Sequence, residues 1–307
     1  MSTLDDEFRF LSSDAARVER SAALPTVERI SVDIGEGRRV SALSWEPESA
    51  PEFVFLHGAG LNAHSFDPTV LAMGVPALAV DLPGHGRSDW REDANYRPDL
   101  LAGDIGTVLA ERAPEPVTLV GHSLGGLTAM LAAAAAPGGV RRLVIVDISP
   151  GVIPQRDAGT IAEFITGKRD YGTQEEIVDR AIAFGIGSDR EALTRGVALN
   201  TRRRADGRWE WMHHLAHLDG LPIAEGDDPA PFAPLWAVLE SLQAAGVPLA
   251  LIAASDGLVG PELREEWAER LPGSAVLTVD GPHNLHEAAP VGLARALESL
   301  DVLVSRD

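Results

Sequence analysis

The residues best suited to chemistry lie in Val117-Thr118-Leu119-Val120-Gly121-His122-Ser123-Leu124-Gly125-Gly126. A short β-branched apolar stretch runs into a G-x-S-x-G turn, and an alanine-rich helix-forming stretch follows at once. This is the pattern of a nucleophile elbow, in which a sharp strand-to-helix turn exposes a serine hydroxyl. A serine hydroxyl is a weak nucleophile until a base takes its proton. Gly121 and Gly125 carry no Cβ to clash inside such a turn. The helix that starts near Leu124 points free backbone N–H groups and a positive dipole end at the site, where they would stabilise an oxyanion.

The partners that a nucleophilic serine needs follow in the chain. Two aspartates sit just after apolar runs: Asp147 after Leu143-Val144-Ile145-Val146, and Asp256 after Leu249-Ala250-Leu251-Ile252. His283 follows Ala275-Val276-Leu277-Thr278-Val279 by a short loop. Ligands of open parallel sheets bind at such carboxyl ends of strands. His286, three residues beyond His283, competes for the role of base, but His283 lies directly after the strand's loop. His213 and His217 are four apart, a spacing that suits zinc on a helix. The second position of the metalloprotease motif holds His214 where glutamate is required, and no third ligand can be named, so no metal is expected. Arg202-Arg203-Arg204 reads as a solvated surface.

The elements that must position these groups come from apolar periodicity. Thr26–Val32 and Arg39–Trp45 alternate as strands around Gly35-Glu36-Gly37. Phe53–Leu56, Ala77–Val80, Val117–Val120, Leu143–Val146, Leu249–Ile252 and Ala275–Val279 are near-continuous apolar runs, the signature of strands buried on both faces. Helical stretches separate them at about 98–113, 124–136, 261–271 and 290–304. Alternating strands and helices imply an α/β fold with a mostly parallel central sheet flanked by helices. Between Pro150 and about Ala245 no buried strand is evident. Helical stretches at 160–166, 174–184, 189–199 and 234–244 suggest an inserted helical cap. The expected organisation is a core of residues 1–150 and 246–307 with a cap over 151–245. Residues 1–24 read as a helix or arm.

Composition narrows the function. The chain has no cysteine, which removes disulfides, thiolate catalysis and cysteine–metal sites. A formal charge of −20 argues against nucleic acid and anionic membranes as partners. No stretch approaches a membrane span, and the acidic N-terminus lacks the apolar core of a signal peptide. The expectation is a soluble cytoplasmic protein, monomer or homodimer, that acts on a small molecule.

Taken together, the His57-Gly58 turn, Asp81-Leu82-Pro83-Gly84-His85-Gly86-Arg87-Ser88, Gly121-His122-Ser123-Leu124-Gly125-Gly126 and Pro282-His283-Asn284-Leu285-His286-Glu287 resemble the α/β-hydrolase fold family over about residues 40–305. Within it the chain is most similar to small bacterial capped carboxylesterases. The resemblance implies a serine hydrolase that cleaves carboxylic esters of short acids through an acyl-enzyme, with no cofactor. It assigns Ser123 as nucleophile, His283 as general base and then acid, and the backbone N–H groups of Ala59 and Leu124 as the oxyanion hole. The acid has two candidates. Most of the family places it after the strand that follows the cap, here Asp256. Some small esterases take it one strand earlier, here Asp147. Asp256 is preferred and Asp147 is the alternative. Gly58, His122, Trp90 and Phe66 are expected to line the substrate pocket, with Trp209, Trp211 and Trp236 narrowing it. His57 and His85 are expected to orient backbone. Departures are Pro282 before the base, where glycine is usual, and Ala59 in the oxyanion turn. Lactonases, thioesterases, C–C bond hydrolases and perhydrolases use the same set, and a slow or non-hydrolytic ligand-binding protein on this fold is the alternative class.

Overall fold

The computed structural model describes residues 7–224 and 228–304, the side chains of 301–304 excepted. The N-terminal residues 1–6, the stretch 225–227 within the expected cap and the C-terminal residues 305–307 lie outside the described residues.

The elements run α1 (Leu11–Arg17), β1 (Val27–Asp33), β2 (Arg39–Trp45), β3 (Phe53–Leu56), α2 (Asp67–Met73), β4 (Ala77–Val80), α3 (Pro98–Arg112), β5 (Val117–His122), α4 (Leu124–Ala135) and β6 (Val140–Val146). Then come α5 (Pro154–Asp157), α6 (Gly159–Gly167), β7 (Asp170–Tyr171), α7 (Gln174–Ala183), α8 (Arg190–Asn200), β8 (Thr201–Arg203) and β9 (Trp209–Trp211). The chain closes with α9 (Leu235–Ala244), β10 (Leu249–Asp256), α10 (Pro261–Arg270), β11 (Ala275–Pro282), α11 (Leu285–Ala288) and α12 (Pro290–Val304).

Eight strands form one sheet in the order β1-β2-β4-β3-β5-β6-β10-β11. β1 pairs antiparallel with β2, and β2 with β4; from β4 to β11 every pairing is parallel. The near-continuous apolar runs are explained by two cores. Along β6, Leu143 and Ile145 enter the core on the α3–α4 side, while Val144 and Val146 enter the core on the α2–α12 side. β10 repeats this with Leu249 and Leu251 against Ala250 and Ile252. Successive side chains of a strand point to opposite faces, so a strand covered on both sides must be apolar throughout.

The segment between β6 and β10 departs from the expected all-helical insert. β7, β9 and β8 form a separate three-stranded antiparallel sheet, unpaired with the main one. Two- and three-residue strands are too short for a period-2 pattern to stand out, and Arg202, Arg203 and Glu210 on them read as surface. The helix α9, expected in the cap, packs against α4, and its Trp236 meets Trp267 of α10 edge-on with centroids 5.9 Å apart. It flanks the main sheet, so the part of the insert over the strand ends stops before α9. Among the described residues no helix is long and apolar enough to cross a membrane.

A buried ionic cluster fixes the loops after β3 and β4. Arg29 of β1 donates to Asp81 at 2.7 Å and to Glu7 at 2.5 Å. Asp81 is fully buried and accepts from the amides of Ala63 (2.7 Å) and Arg87 (3.0 Å). Burial opposes its ionisation, but Arg29 and these amides override that and hold its pKa below the ordinary aspartate value. Removing one partner of a buried charge cluster leaves the others uncompensated. Arg29→Met is therefore expected to cost about 3–5 kcal/mol, measured as a shift of the urea midpoint; a loss under about 1 kcal/mol, the range of exposed pairs, would show that Glu7 and Asp81 find water instead.

Candidate active site

Ser123 stands between β5 and α4 with φ 52° and ψ −121°, a backbone conformation that side-chain-bearing residues rarely adopt. The strain is held by neighbours. Ser123 N–H donates to the Val146 carbonyl of β6 at 3.2 Å, and the Ser123 carbonyl accepts from the amides of Gly126 and Leu127. The turn also requires glycine. A Cβ on Gly125 would stand 2.2 Å from the Leu56 carbonyl oxygen, and one on Gly121 would stand 2.4 Å from the Gly125 oxygen. The serine is thereby pushed out at the strand ends, where it lines a cavity of about 330 Å³ together with Gly58, Ala59, His122, His283 and Asn284.

His283 follows β11 and is half-buried. Its Nδ1–H donates to Asp147 Oδ2 at 2.7 Å. Asp147 is fully buried, one residue beyond β6, with φ 48°. Its Oδ1 accepts from the Ala254 and Val259 amides at 3.0 and 3.3 Å, and its Oδ2 from the Leu258 amide at 2.8 Å. The preferred acid, Asp256, is not the partner. It is exposed, takes a hydrogen bond from Ser255 Oγ at 3.2 Å and only borders the cavity. The reason is local. The β10–β11 register shifts between Ala254 and Asp256, and the chain past Asp256 turns its amides onto the carboxylate of the neighbouring strand. Gly257 makes this possible, since a Cβ there would stand 2.0 Å from Asp147 Oδ2. Sequence reasoning did not pick out Gly257; the glycine directly after Asp256 was the available signal.

The histidines divide by tautomer and burial. His57 donates from Nδ1 to the Gly58 carbonyl (2.8 Å) and accepts at Nε2 from the Leu82 amide (2.9 Å). His85 donates from Nδ1 to the Pro83 carbonyl (3.1 Å) and accepts at Nε2 from the Gly60 amide (3.0 Å). Both orient the turn that carries Ala59. Burial pushes the His57 pKa down to about 4, and burial with the like charge of His57 pushes His85 to about 3. His122 donates from Nε2 to the His283 carbonyl at 3.0 Å, with ring centroids 4.5 Å apart. His286 is buried against Phe66 and His122, and burial takes its pKa to about 3.

The Ala59 and Leu124 amides donate to no other protein group among the described residues. Gly58 and His122 lie on the cavity wall. Trp90 and Phe66 do not. Trp90 stacks on His214 at 4.2 Å, held there by the Tyr96–His214 hydrogen bond, and Phe66 is core against Phe55. Of the three tryptophans expected to narrow the pocket, Trp211 is on its wall; Trp236 is in the core and Trp209 pairs in the small sheet. His213, His214 and His217 turn to different partners, because residues 214–217 form a 3-10 helix and not an α-helix with a common four-residue face. Among the described residues no cluster suits a metal ion.

On a parallel sheet covered on both faces, one cavity thus holds a strained serine at a strand-to-helix turn, a histidine backed by a buried aspartate and the Ala59 turn. Residues 53–296 match the Alpha/beta hydrolase family, and the chain belongs to that family. It is 40% identical to Esterase Rv0045c of Mycobacterium tuberculosis over 262 residues, 83% of this chain and 81% of that protein. It is 29% identical over 264 residues to the mouse sn-1-specific diacylglycerol lipase ABHD11, 81% of this chain and 80% of that protein. A crystal structure of the Rv0045c esterase superposes with a TM-score of 0.81 at 36% identity, covering 98% of this chain and 99% of that one.

The buried neutral histidines set a pH dependence. A histidine whose folded pKa lies below its unfolded value near 6.5 contributes stability above 6.5, and loses it as pH falls toward the folded value. For His57 and His85 the window is about 6.5 down to 4 and 3, worth at most about 1.4 kcal/mol per pH unit each. His64 runs the other way: burial lowers its pKa, but Asp67 overrides this and raises it, so its contribution is lost only as pH rises through that value. Stability is expected to decline between pH 6.5 and 5, before most carboxylates titrate; urea midpoints at pH 7.5, 6.5, 5.8 and 5 measure it, and a flat profile contradicts protonation-free burial of these rings.

Proposed function

We propose that the protein is a serine esterase that cleaves carboxylic esters of short acids through an acyl-enzyme. The observation that carries this reading is the hydrogen bond that the buried Asp147 accepts from His283, which shares one cavity with the strained Ser123. With Nδ1–H engaged by a buried carboxylate, the lone pair of His283, a residue of the cavity wall, lies on Nε2, the tautomer a general base needs. Ser123 Oγ attacks the ester carbonyl as His283 takes its proton. The tetrahedral oxyanion is held by the Ala59 and Leu124 amides, preorganised by the His57 and His85 bonds and by the start of α4. Protonated His283, stabilised by Asp147, gives the proton to the leaving alcohol. Water activated by His283 then releases the acid. The names of the relatives support esters as the substrate class.

The insert between β6 and α9 acts as the cap. Its Phe164, Ile165, Phe184, Ile186 and Trp211 wall the cavity. About 330 Å³ is at the small end of ligand pockets and suits a short acyl chain.

Ser123→Ala is expected to lower kcat/KM on p-nitrophenyl butanoate by about 10³-fold or more while the thermal midpoint stays near wild type. A fluorophosphonate probe should label the wild-type serine and not the variant. Activity retained within tenfold would sink the assignment.

The acid assignment has its own outcome. Asp147→Asn should lower kcat/KM by about 10⁴-fold, because an amide there no longer enforces the Nδ1–H tautomer. Asp256→Asn should stay within about threefold. The two variants are compared on one substrate at one pH; the reverse order would move the acid to β10.

A further inference from the structure

One group on the cavity wall is unused by this chemistry. His213 precedes the 3-10 helix at 214–217 and is only 1% exposed. Its Nδ1 accepts the Ala216 amide at 3.1 Å, so the ring proton sits on Nε2. That Nε2–H has no protein partner among the described residues. The ring is wedged between Trp211 (5.5 Å between centroids) and His85 (6.0 Å), so its direction is set by packing. Its Nε2 lies 3.5 Å from where a Cβ on Gly60 would stand, next to the turn residue Ala59. His213 lines the same cavity as Ser123. An N–H on the cavity wall with no protein acceptor marks a place where a ligand can supply one.

We propose that His213 is a specificity-determining residue, whose Nε2–H donates to a neutral acceptor oxygen on the acyl group, such as an ether, keto, hydroxyl or amide oxygen a few atoms from the scissile carbonyl. Neutrality follows from the wall. No arginine or lysine lines this cavity, while the carboxylates of Asp157 and Asp256 do. Burial and the like charges of His85 and His217 hold the His213 pKa well below 6.5, so the ring is an uncharged donor. Asp157 is already paired with Arg156 at 2.6 Å, so an acyl group ending in a carboxylate would meet the Asp256 carboxylate and no unpaired cation on the cavity wall. Gly60 leaves room for the oxygen to approach: a side chain on it would meet Ile165 at 3.1 Å and fill the space beneath His213.

This inference rests on the esterase reading, and the experiment separates the two. Hydrolysis of p-nitrophenyl 3-methoxypropanoate and methoxyacetate is compared with that of the isosteric pentanoate and butanoate, each rate divided by its hydroxide-catalysed rate. In the wild type the ether-to-alkyl ratio of kcat/KM should exceed that of His213→Leu by roughly five- to tenfold for at least one pair. His213→Gln, which restores an N–H, should recover part of it. Equal losses on ether and alkyl esters, with an unchanged ratio, would assign His213 to packing alone and overturn the proposal. Absence of all hydrolysis and of fluorophosphonate labelling would instead sink the esterase reading. The donor is then read by ligand-observed NMR titration of 3-methoxypropanamide against pentanamide. His213→Leu should weaken the ether amide selectively, and equal weakening of both overturns the proposal.

Discussion

The seat of the Asp147 carboxylate is the constraint on which the rest of the site depends. A fully buried carboxylate is costly unless its lone pairs are taken, and here three backbone amides and one imidazole N–H take them. Meeting that demand fixes several elements at once. Asp147 itself stands at φ 48° beyond β6. The loop after β10 must turn its amides inward, which only a glycine at 257 allows. The loop after β11 must bring His283 within 2.7 Å. The elbow is registered to the same strand, because Ser123 N–H is bonded to Val146, the residue before Asp147. The proposed nucleophile, base and acid are therefore spaced by one parallel sheet, with β5, β6, β10 and β11 as consecutive neighbours.

Neutral imidazoles do the work of orienting the opposite wall. His57, His85 and His122 each have one nitrogen donating to a carbonyl, and His57 and His85 each accept an amide with the other. A buried lysine or arginine offers donors only, and a carboxylate offers acceptors only. A neutral imidazole offers one of each across about 2 Å of ring, enough to pin two backbone turns together. Burial keeps the rings uncharged, which is why their pKa values fall. Among the described residues the Ala59 and Leu124 amides donate to no protein group in this arrangement.

Much of this was legible in the residues. The eight main strands and the helices α3, α4, α10 and α12 follow from apolar runs, and Ser123, His283, His57 and His85 from their motifs. The carboxylate partner of His283 was not legible, because Asp147 and Asp256 follow adjacent parallel strands and both fit the Ser…Asp…His order. What separates them is a one-residue register shift in β10 and the absence of a Cβ at 257, which are three-dimensional facts. Trp90 and Phe66 were misplaced for a related reason. A large aromatic near a motif has no direction in a sequence, and each found a closer partner, His214 for Trp90 and Phe55 for Phe66. The small sheet β7-β9-β8 is too short to carry periodicity, and α9 reads as any amphipathic helix until its contact with α4 is seen.

The insert is held to the turn that carries Ala59 by polar groups and not by apolar area alone. Asn200, at the end of α8, donates to the Gly60 carbonyl at 2.6 Å, while His85 takes the Gly60 amide from the core side. Asn62 donates to the Leu199 carbonyl. Arg195 of α8 reaches Asp14 of α1, Asp67 of α2 and the His64 carbonyl, all within 3.1 Å, and Arg17 of α1 joins Asp189 to the Glu287 carbonyl. Such partly buried ionic links add little net stability, since desolvation offsets most of the attraction. Their geometry is nonetheless restrictive, because a guanidinium satisfied by three acceptors on three elements has few other poses. An apolar face could slide across the strand ends at small cost; α8, bonded to Gly60, Asn62, His64, Asp67 and Asp14, cannot move without breaking these hydrogen bonds, two of them to carboxylates. The position of the insert and the position of the turn that bears the Ala59 amide are thereby one structural variable.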